Sequence, residues 1–399
     1  MRSAVRFRLP PELEAAAPPE ARGLRRDHVR LLLVDRATGS VAHHRFHELP
    51  RLLEPGDLLV ANDSRTLPAS LLGHTAAGAP LEVRLAAREG GGPGPVEGAG
   101  RAGSREPGDG AGEGVERPGS RKPGDGGDRW AALVLGVPAG GGDPALVPTD
   151  ARPPAPALAA GERLEFAGGL GATVLGRHEE AGPLVWLAFD LAGERLAQAL
   201  HRAGRPVRYA YVPRPWPLHQ YQTLFAAVPG SAEMASAGRP FTVQTLRDLR
   251  QQEIGLATIS LHAGLSTYGD PVTDRRYVPA EHYLVPEATA AAVAACRAAG
   301  GRVVAIGTTV VRTLETAAAG GDGVRPGAGV TRLRIGPGHR LAAVDGLLTG
   351  LHEPEASHLD LLGAFLDRPA LDRAYAAALG SGYLWHEFGD VCLLLPGRS

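Results

Sequence analysis

A Gly-Thr-Thr turn between a predicted strand and a predicted helix is the clearest ligand-binding feature of the chain. The strand is predicted over residues 302–306 and the helix over 310–319, with Gly307-Thr308-Thr309 between them. Unpaired backbone N–H groups and the positive end of the helix dipole meet at such a turn, so it suits a carboxylate or a phosphate. Arg312 lies one turn into the helix and can reach the same ligand. The alternative is that a threonine only caps the helix.

Histidine and acidic residues suited to proton transfer occur at three further points. His262 directly follows a strand predicted over residues 256–261, at the sheet edge where open α/β sheets bind ligands. A neutral imidazole there can accept or donate a proton near pH 7, although a purely structural histidine is the alternative. His352-Glu353 and the run from His386 to Asp390 lack the His-Glu-x-x-His spacing of a metal site. The chain also lacks a Walker loop and a Gly-x-Gly-x-x-Gly after a strand, which disfavours triphosphate and dinucleotide chemistry.

The elements that must position these residues alternate between strands and helices from about residue 207 onward. A helix is predicted from residue 242 to 253, and an Ala-rich helix opens at Pro286 and closes at Gly300. This order predicts an α/β layer with a mostly parallel sheet. Near the start of the chain, a hairpin is predicted over residues 28–46. An apolar run then ends in Asn62-Asp63-Ser64-Arg65, a polar loop at a strand end.

The region between these two parts has the pattern of a β domain. Short runs of alternating polar and apolar residues, separated by Gly and Pro, predict a small barrel or sandwich. We therefore predict an α/β domain made of residues 1–65 and 207–399, with a smaller β-barrel domain, residues 66–206, inserted. Residues 89–128 include 15 Gly and 5 Pro and predict a flexible loop within the barrel.

Composition excludes a polybasic nucleic-acid-binding surface. The chain has 42 Lys and Arg against 43 Asp and Glu, and residues 89–128 hold five basic and eight acidic residues, which leaves +2 on the remainder. Any RNA contact must therefore use local arginines, such as Arg205, Arg208, Arg214 and Arg239. No apolar run approaches the ~18 residues of a spanning helix, and the start of the chain lacks a signal-peptide core. We expect a cytoplasmic protein without a membrane partner; its oligomeric state is left open.

Seven motifs occur along the chain in a fixed order. They are Val60 to Ser70, Tyr221 to Phe225, Pro229 to Gly238, Leu261 to Gly264, Ala305 to Glu315, Leu351 to Pro354 and Phe388 to Asp390. Together they resemble one enzyme family, the S-adenosylmethionine:tRNA ribosyltransferase-isomerases of queuosine biosynthesis. The resemblance covers nearly the whole chain outside residues 89–128 and implies a β-barrel set into an α/β domain.

The resemblance implies a transferase and isomerase. Such an enzyme transfers and isomerises the ribosyl moiety of S-adenosylmethionine onto 7-aminomethyl-7-deazaguanine in tRNA, giving epoxyqueuosine and releasing adenine and methionine. S-adenosylmethionine is then a co-substrate, and no metal or redox cofactor is implied. A base must act beside the sulfonium, and a proton donor must help adenine to leave. The candidate proton carriers are His262, Glu281, His352 and Asp390. The candidate substrate-binding residues are Asn62, Asp63, Ser64, Arg65, Tyr221, Gln222, Ser236, Gly238, Arg239, Gly307, Thr308, Thr309 and Arg312.

Several motifs depart from the family pattern on the acceptor side. The usual Pro-Thr-Ala-Gly-Leu-His-Phe is residues 235–241 here, with Arg239 in place of Leu. The usual His-Ser-Glu keeps only Glu281, and residues 350–357 lose the Asn of the usual Asn-Phe-His-Leu-Pro-x-Ser and shift or alter its Ser. These changes favour an alternative, a paralogue that uses S-adenosylmethionine on another, small-molecule acceptor. A third interpretation is a non-catalytic nucleotide- or tRNA-binding module, which the retained His262 and Asp390 disfavour.

Overall fold

The computed structural model describes residues 7–90, 127–139, 142–354 and 356–397. Most of the predicted flexible loop, residues 91–126, lies outside the described residues. Before the barrel, the strands are β1 (Arg30–Asp35), β2 (Val41–Arg45), β3 (Leu58–Asn62) and β4 (Ser64–Thr66). The barrel region contains β5 (Ser70–Thr75), β6 (Pro80–Arg88), β7 (Arg129–Gly136), β8 (Arg163–Phe166), β9 (Gly171–Arg177), β10 (Leu184–Phe189) and β11 (Gly204–Arg205). After it come β12 (Val228–Ser231), β13 (Gly255–Leu261), β14 (Glu281–Val285), β15 (Val303–Ile306), β16 (Gly327–Thr331), β17 (Gly346–Gly350) and β18 (Val391–Leu395).

Eight α-helices accompany these strands among the described residues. They are α1 (Leu49–Leu52), α2 (Gly193–Ala203), α3 (Val243–Gln251), α4 (Pro271–Arg276), α5 (Glu287–Ala298), α6 (Thr308–Ala317), α7 (Ser357–Leu362) and α8 (Arg368–Gly380). None of the helices in the described part of the chain is both long and apolar enough to cross a membrane.

The α/β domain contains a nine-stranded sheet in the order β16-β14-β13-β3-β15-β17-β18-β1-β2. The prediction of a mostly parallel sheet is wrong, because four of its eight pairings are parallel and four antiparallel. The parallel pairs form the centre around β3 and β15 and also join β1 to β18, whereas β14, β16 and β2 add antiparallel edges. Antiparallel edge strands on a parallel centre are common in large sheets.

Alternation along the central strands gives the sheet two apolar faces. Leu58 and Val60 of β3 pack into one core with α5, α6 and α8, while Leu59 and Ala61 pack into the other with α3 and Phe241. Successive side chains of a strand point to opposite faces, so a continuous apolar run predicts a strand buried on both sides. The α/β layer is therefore sandwiched between helices and loops.

The second sheet closes on itself into a six-stranded β-barrel. Its order is β11-β5-β6-β7-β10-β9-β8, and an additional β5–β8 pairing closes the ring. The predicted fold class, an α/β domain with a smaller inserted β-barrel, is confirmed. The barrel strands run from Ser70 to Arg205, inside the predicted insertion of residues 66–206. Strand β4, just before the barrel, and strand β12, after it, pair in a short parallel ladder. This ladder holds together the segments by which the chain enters and leaves the barrel.

Candidate active site

A cavity of about 330 Å³ lies at the carboxyl ends of β13, β15 and β17, where the chain returns from the barrel. This volume is in the range of small-molecule sites. Predicted site residues that line it are Tyr221, Ser236, Glu281, Gly307, Thr308, Thr309, Arg312 and His352. Sheet topology brings them together, because parallel strands end at the same edge.

The Gly307-Thr308-Thr309 turn lies in the cavity wall as predicted. Gly307 has φ +95°, a conformation that favours glycine, and its N–H donates to the Leu348 carbonyl on β17 at 2.8 Å. Helix α6 begins at the next residue, and no side-chain hydrogen bond caps its start. The two threonines thus do not serve as the cap. The N–H groups of Val310 and Val311 donate to the Gly307 carbonyl, so the N–H groups of Thr308 and Thr309 are the ones that suit an anionic ligand.

Arg312 and Glu281 form an ion pair in the wall of the same cavity. The guanidinium contacts Oε2 of Glu281, and their side chains are 18% and 7% exposed. Glu315, one turn further along α6, instead accepts hydrogen bonds from the backbone N–H groups of residues 342–344. A candidate base and a candidate anion-binding residue are therefore in direct contact.

Two stacked imidazoles, His352 and His358, also line the cavity. His352 accepts or donates a hydrogen bond at Nε2 with Thr349 Oγ1 at 2.9 Å, and its ring stacks on His358 with centroids 4.7 Å apart. Burial and the neighbouring His358 and His386 lower the pKa of His352 well below its usual value. Burial and Arg312 lower the pKa of His358 to about 4. Both rings are neutral near pH 7, so each can donate and accept hydrogen bonds.

Two carboxylates that sequence reasoning missed, Glu233 and Glu387, also line the cavity. Burial and repulsion from Glu233 and Glu353 raise the pKa of Glu387 to about 7, and burial also raises the pKa of Glu233. Glu387 belongs to the His386–Asp390 cluster that the sequence singled out. Glu233 lies within the Pro229 to Gly238 motif, but it stands between Ala232 and Met234 with no histidine or second carboxylate beside it to draw attention to it.

His262 lies outside this cavity. It lines a second, mainly apolar cavity of about 380 Å³ together with His282 and Trp130. Its Nδ1 is 2.8 Å from Ser64 Oγ, and burial with His282 and Arg88 lowers the pKa of His262 to about 4. A narrow space of about 20 Å³, lined by both His262 and Glu281, lies between the two cavities. His262 is therefore connected to the cavity that holds Glu281 and His352 only through this narrow space.

The polar loop after β3 holds the sheet edge together. Asn62 donates to the Leu261 carbonyl at 2.9 Å and accepts from the backbone N–H groups of Leu261 and Ser64. Asp63 accepts from Ser260, and burial raises the pKa of this carboxyl. Gln222 holds the backbone of Thr66 with two hydrogen bonds, and Arg65 is exposed. None of Asn62, Asp63, Ser64, Arg65, Gln222 and Gly238 lines the 330 Å³ cavity.

Asp390 also has the contacts of a structural residue. Its two carboxylate oxygens accept from the backbone N–H groups of Arg30 and Leu384 at 2.7 and 2.8 Å, and it does not line the cavity. These bonds attach the loop before β18 to the start of β1. The geometry places Asp390 in the support of the sheet, away from the other proton carriers.

Burial changes the expected set of RNA-contacting arginines. Arg239 is 2% exposed and pairs with Glu20 at 2.9 Å, and Arg208 is 6% exposed and pairs with Asp143. A phosphate cannot reach either guanidinium without displacing an internal partner. Arg205 and Arg214 are exposed. The structure therefore leaves two of the four predicted arginines on the surface.

The entire chain is similar to proteins of one family. The model of a family described as queuosine biosynthesis protein matches residues 2–394. The chain belongs to this family. The predicted resemblance is thus confirmed, and so is the prediction of an enzyme of the transferase and isomerase type.

Curated relatives named S-adenosylmethionine:tRNA ribosyltransferase-isomerase match over nearly their full length. The protein of Moorella thermoacetica is 35% identical, with 98% of both chains covered. The protein of Gloeobacter violaceus is 36% identical, with 98% of this chain and 95% of the relative covered. A crystal structure of an S-adenosylmethionine tRNA ribosyltransferase from Thermotoga maritima is 28% identical, with 98% and 99% coverage and a TM-score of 0.49. The roles of individual site residues stay predictions.

Proposed function

We propose that this protein is an S-adenosylmethionine:tRNA ribosyltransferase-isomerase of queuosine biosynthesis. In detail, it would transfer and isomerise the ribosyl moiety onto 7-aminomethyl-7-deazaguanine in tRNA, giving epoxyqueuosine with release of adenine and methionine. The full-length relatives that carry this name support the proposal. A cytoplasmic location is consistent with a tRNA substrate.

The observation that carries the proposal is the convergence of an anion site and proton carriers in one cavity. Gly307-Thr308-Thr309, Arg312, Glu281 and His352 come from separate elements and line the same 330 Å³ space. S-adenosylmethionine needs both an anion site and a proton carrier, because it has a carboxylate and a carbon acidified by the adjacent sulfonium. A structural cluster without a ligand would not require an open cavity in its centre.

In the proposed reaction, the first turn of α6 and Arg312 bind the methionine carboxylate. Glu281 acts as the base beside the sulfonium, and its contact with Arg312 orients the carboxylate. The neutral His352 and His358 supply hydrogen bonds toward the adenine nitrogens. The net transfer involves no change of oxidation state that would call for a redox cofactor, and S-adenosylmethionine is the only co-substrate.

The direct test is release of adenine from S-adenosylmethionine in the presence of tRNA that carries the aminomethyl deazaguanine. We expect adenine and methionine in equal amounts, and a ribosyl adduct on the tRNA by mass spectrometry. Glu281→Gln should lower turnover by at least a hundredfold, a typical contribution of a general base. No adenine release with modified tRNA would contradict the proposal.

The second candidate is the paralogue that acts on a small-molecule acceptor. Burial of Arg208 and Arg239 favours it, because it removes positive charge from any RNA-facing surface. Each phosphate contact contributes roughly 0.7 to 0.9 to the slope of log affinity against log salt concentration. Absence of tRNA binding at low salt would therefore support the paralogue, whereas a measurable negative slope supports the tRNA enzyme.

A further inference from the structure

Part of the cavity wall is acidic and has no cation of its own. We infer that Glu233 and Glu387 bind the ammonium form of a primary amine on the acceptor, and that Glu387 takes a proton from it. We call this part of the cavity the acidic wall; it consists of Glu233 and Glu387 with the adjoining Tyr209, Tyr211 and Tyr221. The identity of the amine rests on the proposed function, whereas the recognition of an amine rests on the cavity.

The hydrogen bonds of the acidic wall fix both carboxylates without neutralising them. Tyr209 donates to Glu233 Oε1, and Ser266 donates to the same oxygen from its N–H at 2.9 Å and its Oγ at 3.2 Å. Oε2 of Glu233 makes no hydrogen bond with the described residues. Tyr211 donates to Glu387 Oε2 at 2.7 Å. Neutral donors hold the two side chains in place, and their negative charges remain to be compensated.

The charged groups around the acidic wall do not provide that compensation. Within the described ranges, neither Glu233 nor Glu387 forms an ion pair, and Arg312 is already paired with Glu281. The His386 ring stacks on Tyr211 with centroids 3.7 Å apart, but lies between the carboxylates of Glu14 and Glu353. Burial lowers the pKa of His386 to about 4, so this ring is neutral near pH 7.

Two further cations lie nearby, and both are committed elsewhere. Arg334 also lines the cavity but pairs with Asp360 at 3.8 Å. The charge of Arg84 favours the ionised form of Glu233. However, Nε of Arg84 donates to Glu82 at 2.8 Å, and its guanidinium lies 5.4 Å from the centre of the Tyr209 ring. The protein itself therefore does not offset the repulsion between Glu233 and Glu387, and a bound cation would relieve it. Half-buried carboxylates that have neutral donors but no cationic partner are costly, so their presence in a cavity wall points to a cationic ligand.

Tyr221 provides an independent indication of a ligand. Its side chain is 3% exposed and lines the same cavity, and its hydroxyl is buried without a hydrogen-bond partner. Buried hydroxyls normally have partners, so an unpaired one marks a position that a ligand group fills. An ammonium has three N–H donors, which matches Glu233, Glu387 and the Tyr221 oxygen.

The proposed proton transfer is balanced within the site. One N–H bond of the ammonium breaks, an O–H bond forms on Glu387, and an ammonium with a carboxylate becomes an amine with a carboxylic acid. The lone pair left on nitrogen is then free to form the bond to the ribosyl carbon. The same carboxyl group takes up this proton more readily than an exposed glutamate, because burial and Glu233 raise its pKa to about 7.

Binding of two related compounds tests the recognition step without turnover. Calorimetry would compare free 7-aminomethyl-7-deazaguanine with 7-cyano-7-deazaguanine, which has the same ring but a nitrile in place of the basic aminomethyl group. We expect the wild-type protein to prefer the amine at least tenfold, and Glu233→Gln with Glu387→Gln to abolish the preference. Glu165→Gln, an exposed carboxylate on the barrel, is the matched control and should keep it.

Rates at different pH values test the proton-transfer step. The wild-type single-turnover rate should rise through about pH 7, while Glu387→Gln should be at least a hundredfold slower and lack this rise. The groups that face Glu387 are Tyr211, Tyr221, Glu233 and Glu353, of which the tyrosines stay neutral in this range. Tyr211→Phe, which keeps the charge and removes the hydrogen bond, should retain the pH dependence.

The possible outcomes separate this inference from the proposed function. Equal binding of the two compounds by the wild-type protein, both as free bases and within tRNA, would overturn the inference. Adenine release that is unaffected by Glu387→Gln would overturn the proton-transfer role and leave the proposed function standing. Amine preference without any reaction on tRNA would support the inference and favour a free small-molecule amine. A single cooperative melting transition, with a midpoint well above the assay temperature, verifies that each variant folds.

Discussion

Replacing Arg312 with Gln should lower both the stability of the protein and its affinity for S-adenosylmethionine, through two separable effects. The Arg312 and Glu281 side chains are 18% and 7% exposed, so the substitution leaves an almost buried carboxylate without its partner. Breaking a buried pair in this way costs about 3 to 5 kcal/mol, and the partial exposure of Arg312 favours the lower value. For a cooperative unit of 150 to 250 residues, 3 kcal/mol is roughly 6 to 12 °C in melting temperature.

The loss of affinity has a different origin. If Arg312 donates charge-assisted hydrogen bonds to the methionine carboxylate, its removal costs about 1.5 to 3 kcal/mol, or roughly 10- to 150-fold in Kd. Adding Glu281→Gln removes the uncompensated charge and should restore most of the stability. It cannot restore the affinity, because the guanidinium is still missing.

Thermal unfolding and calorimetry with S-adenosylmethionine, without acceptor, measure the two effects. Arg332→Gln is a suitable control, since its pair with Glu180 is about half exposed and should contribute less than about 1 kcal/mol. Reduced stability with unchanged affinity would show that Arg312 has only a structural role. Recovery of affinity in the double variant would show that the charge of Glu281, not the loss of the guanidinium, weakens binding.

Three further substitutions test other parts of the site. Gly230→Ala would place a Cβ 2.4 Å from the His262 ring and displace that ring, so we expect turnover to fall at least tenfold. Gly182→Ala is the control, because nothing lies within 4 Å of the added Cβ there. Normal turnover of Gly230→Ala would remove His262 from catalysis. Because the pKa of Glu387 is raised to about 7, its contribution to stability is present below about pH 4.5 and is lost as the pH rises through 7, by about 3 kcal/mol. Melting curves from pH 4 to 8 should thus be flatter for Glu387→Gln, and parallel curves would contradict the assigned pKa. Arg239→Leu removes the partner of Glu20, whose side chain is 33% exposed, so the loss of stability should be smaller than the about 3 kcal/mol of a fully buried pair, with no change in tRNA affinity at low salt. Unchanged stability with weaker tRNA binding would return Arg239 to the RNA-binding surface.

The local units of the site were predictable because their signals lie close together in the chain. A strand, the Gly307-Thr308-Thr309 turn and a helix require only short-range preferences for β structure, positive φ and helix formation, and the structure has β15, Gly307 at φ +95° and α6 in this order. The β-barrel followed from alternating short strands bounded by Gly and Pro. The mixed sheet was not predictable, because strand direction depends on where each crossover leads.

The grouping of the proton carriers depends on contacts between distant parts of the chain. Sequence motifs placed His262 and Asp390 beside Glu281 and His352, whereas the structure puts His262 in a neighbouring cavity and attaches Asp390 to the backbone of β1. Side-chain direction and register decide such questions, and neither is encoded within a motif.

The sequence by itself determined the fold class, the family and the Gly307-Thr308-Thr309 turn between β15 and α6, because each rests on local patterns or on the order of motifs along the chain. Only the tertiary structure decided which charges are available. It buried Arg239 against Glu20, paired Arg312 with Glu281, and brought Glu233 and Glu387 together without a cation. Charge compensation and burial are properties of three-dimensional neighbours, and here those neighbours are separated by as many as 219 positions in the sequence.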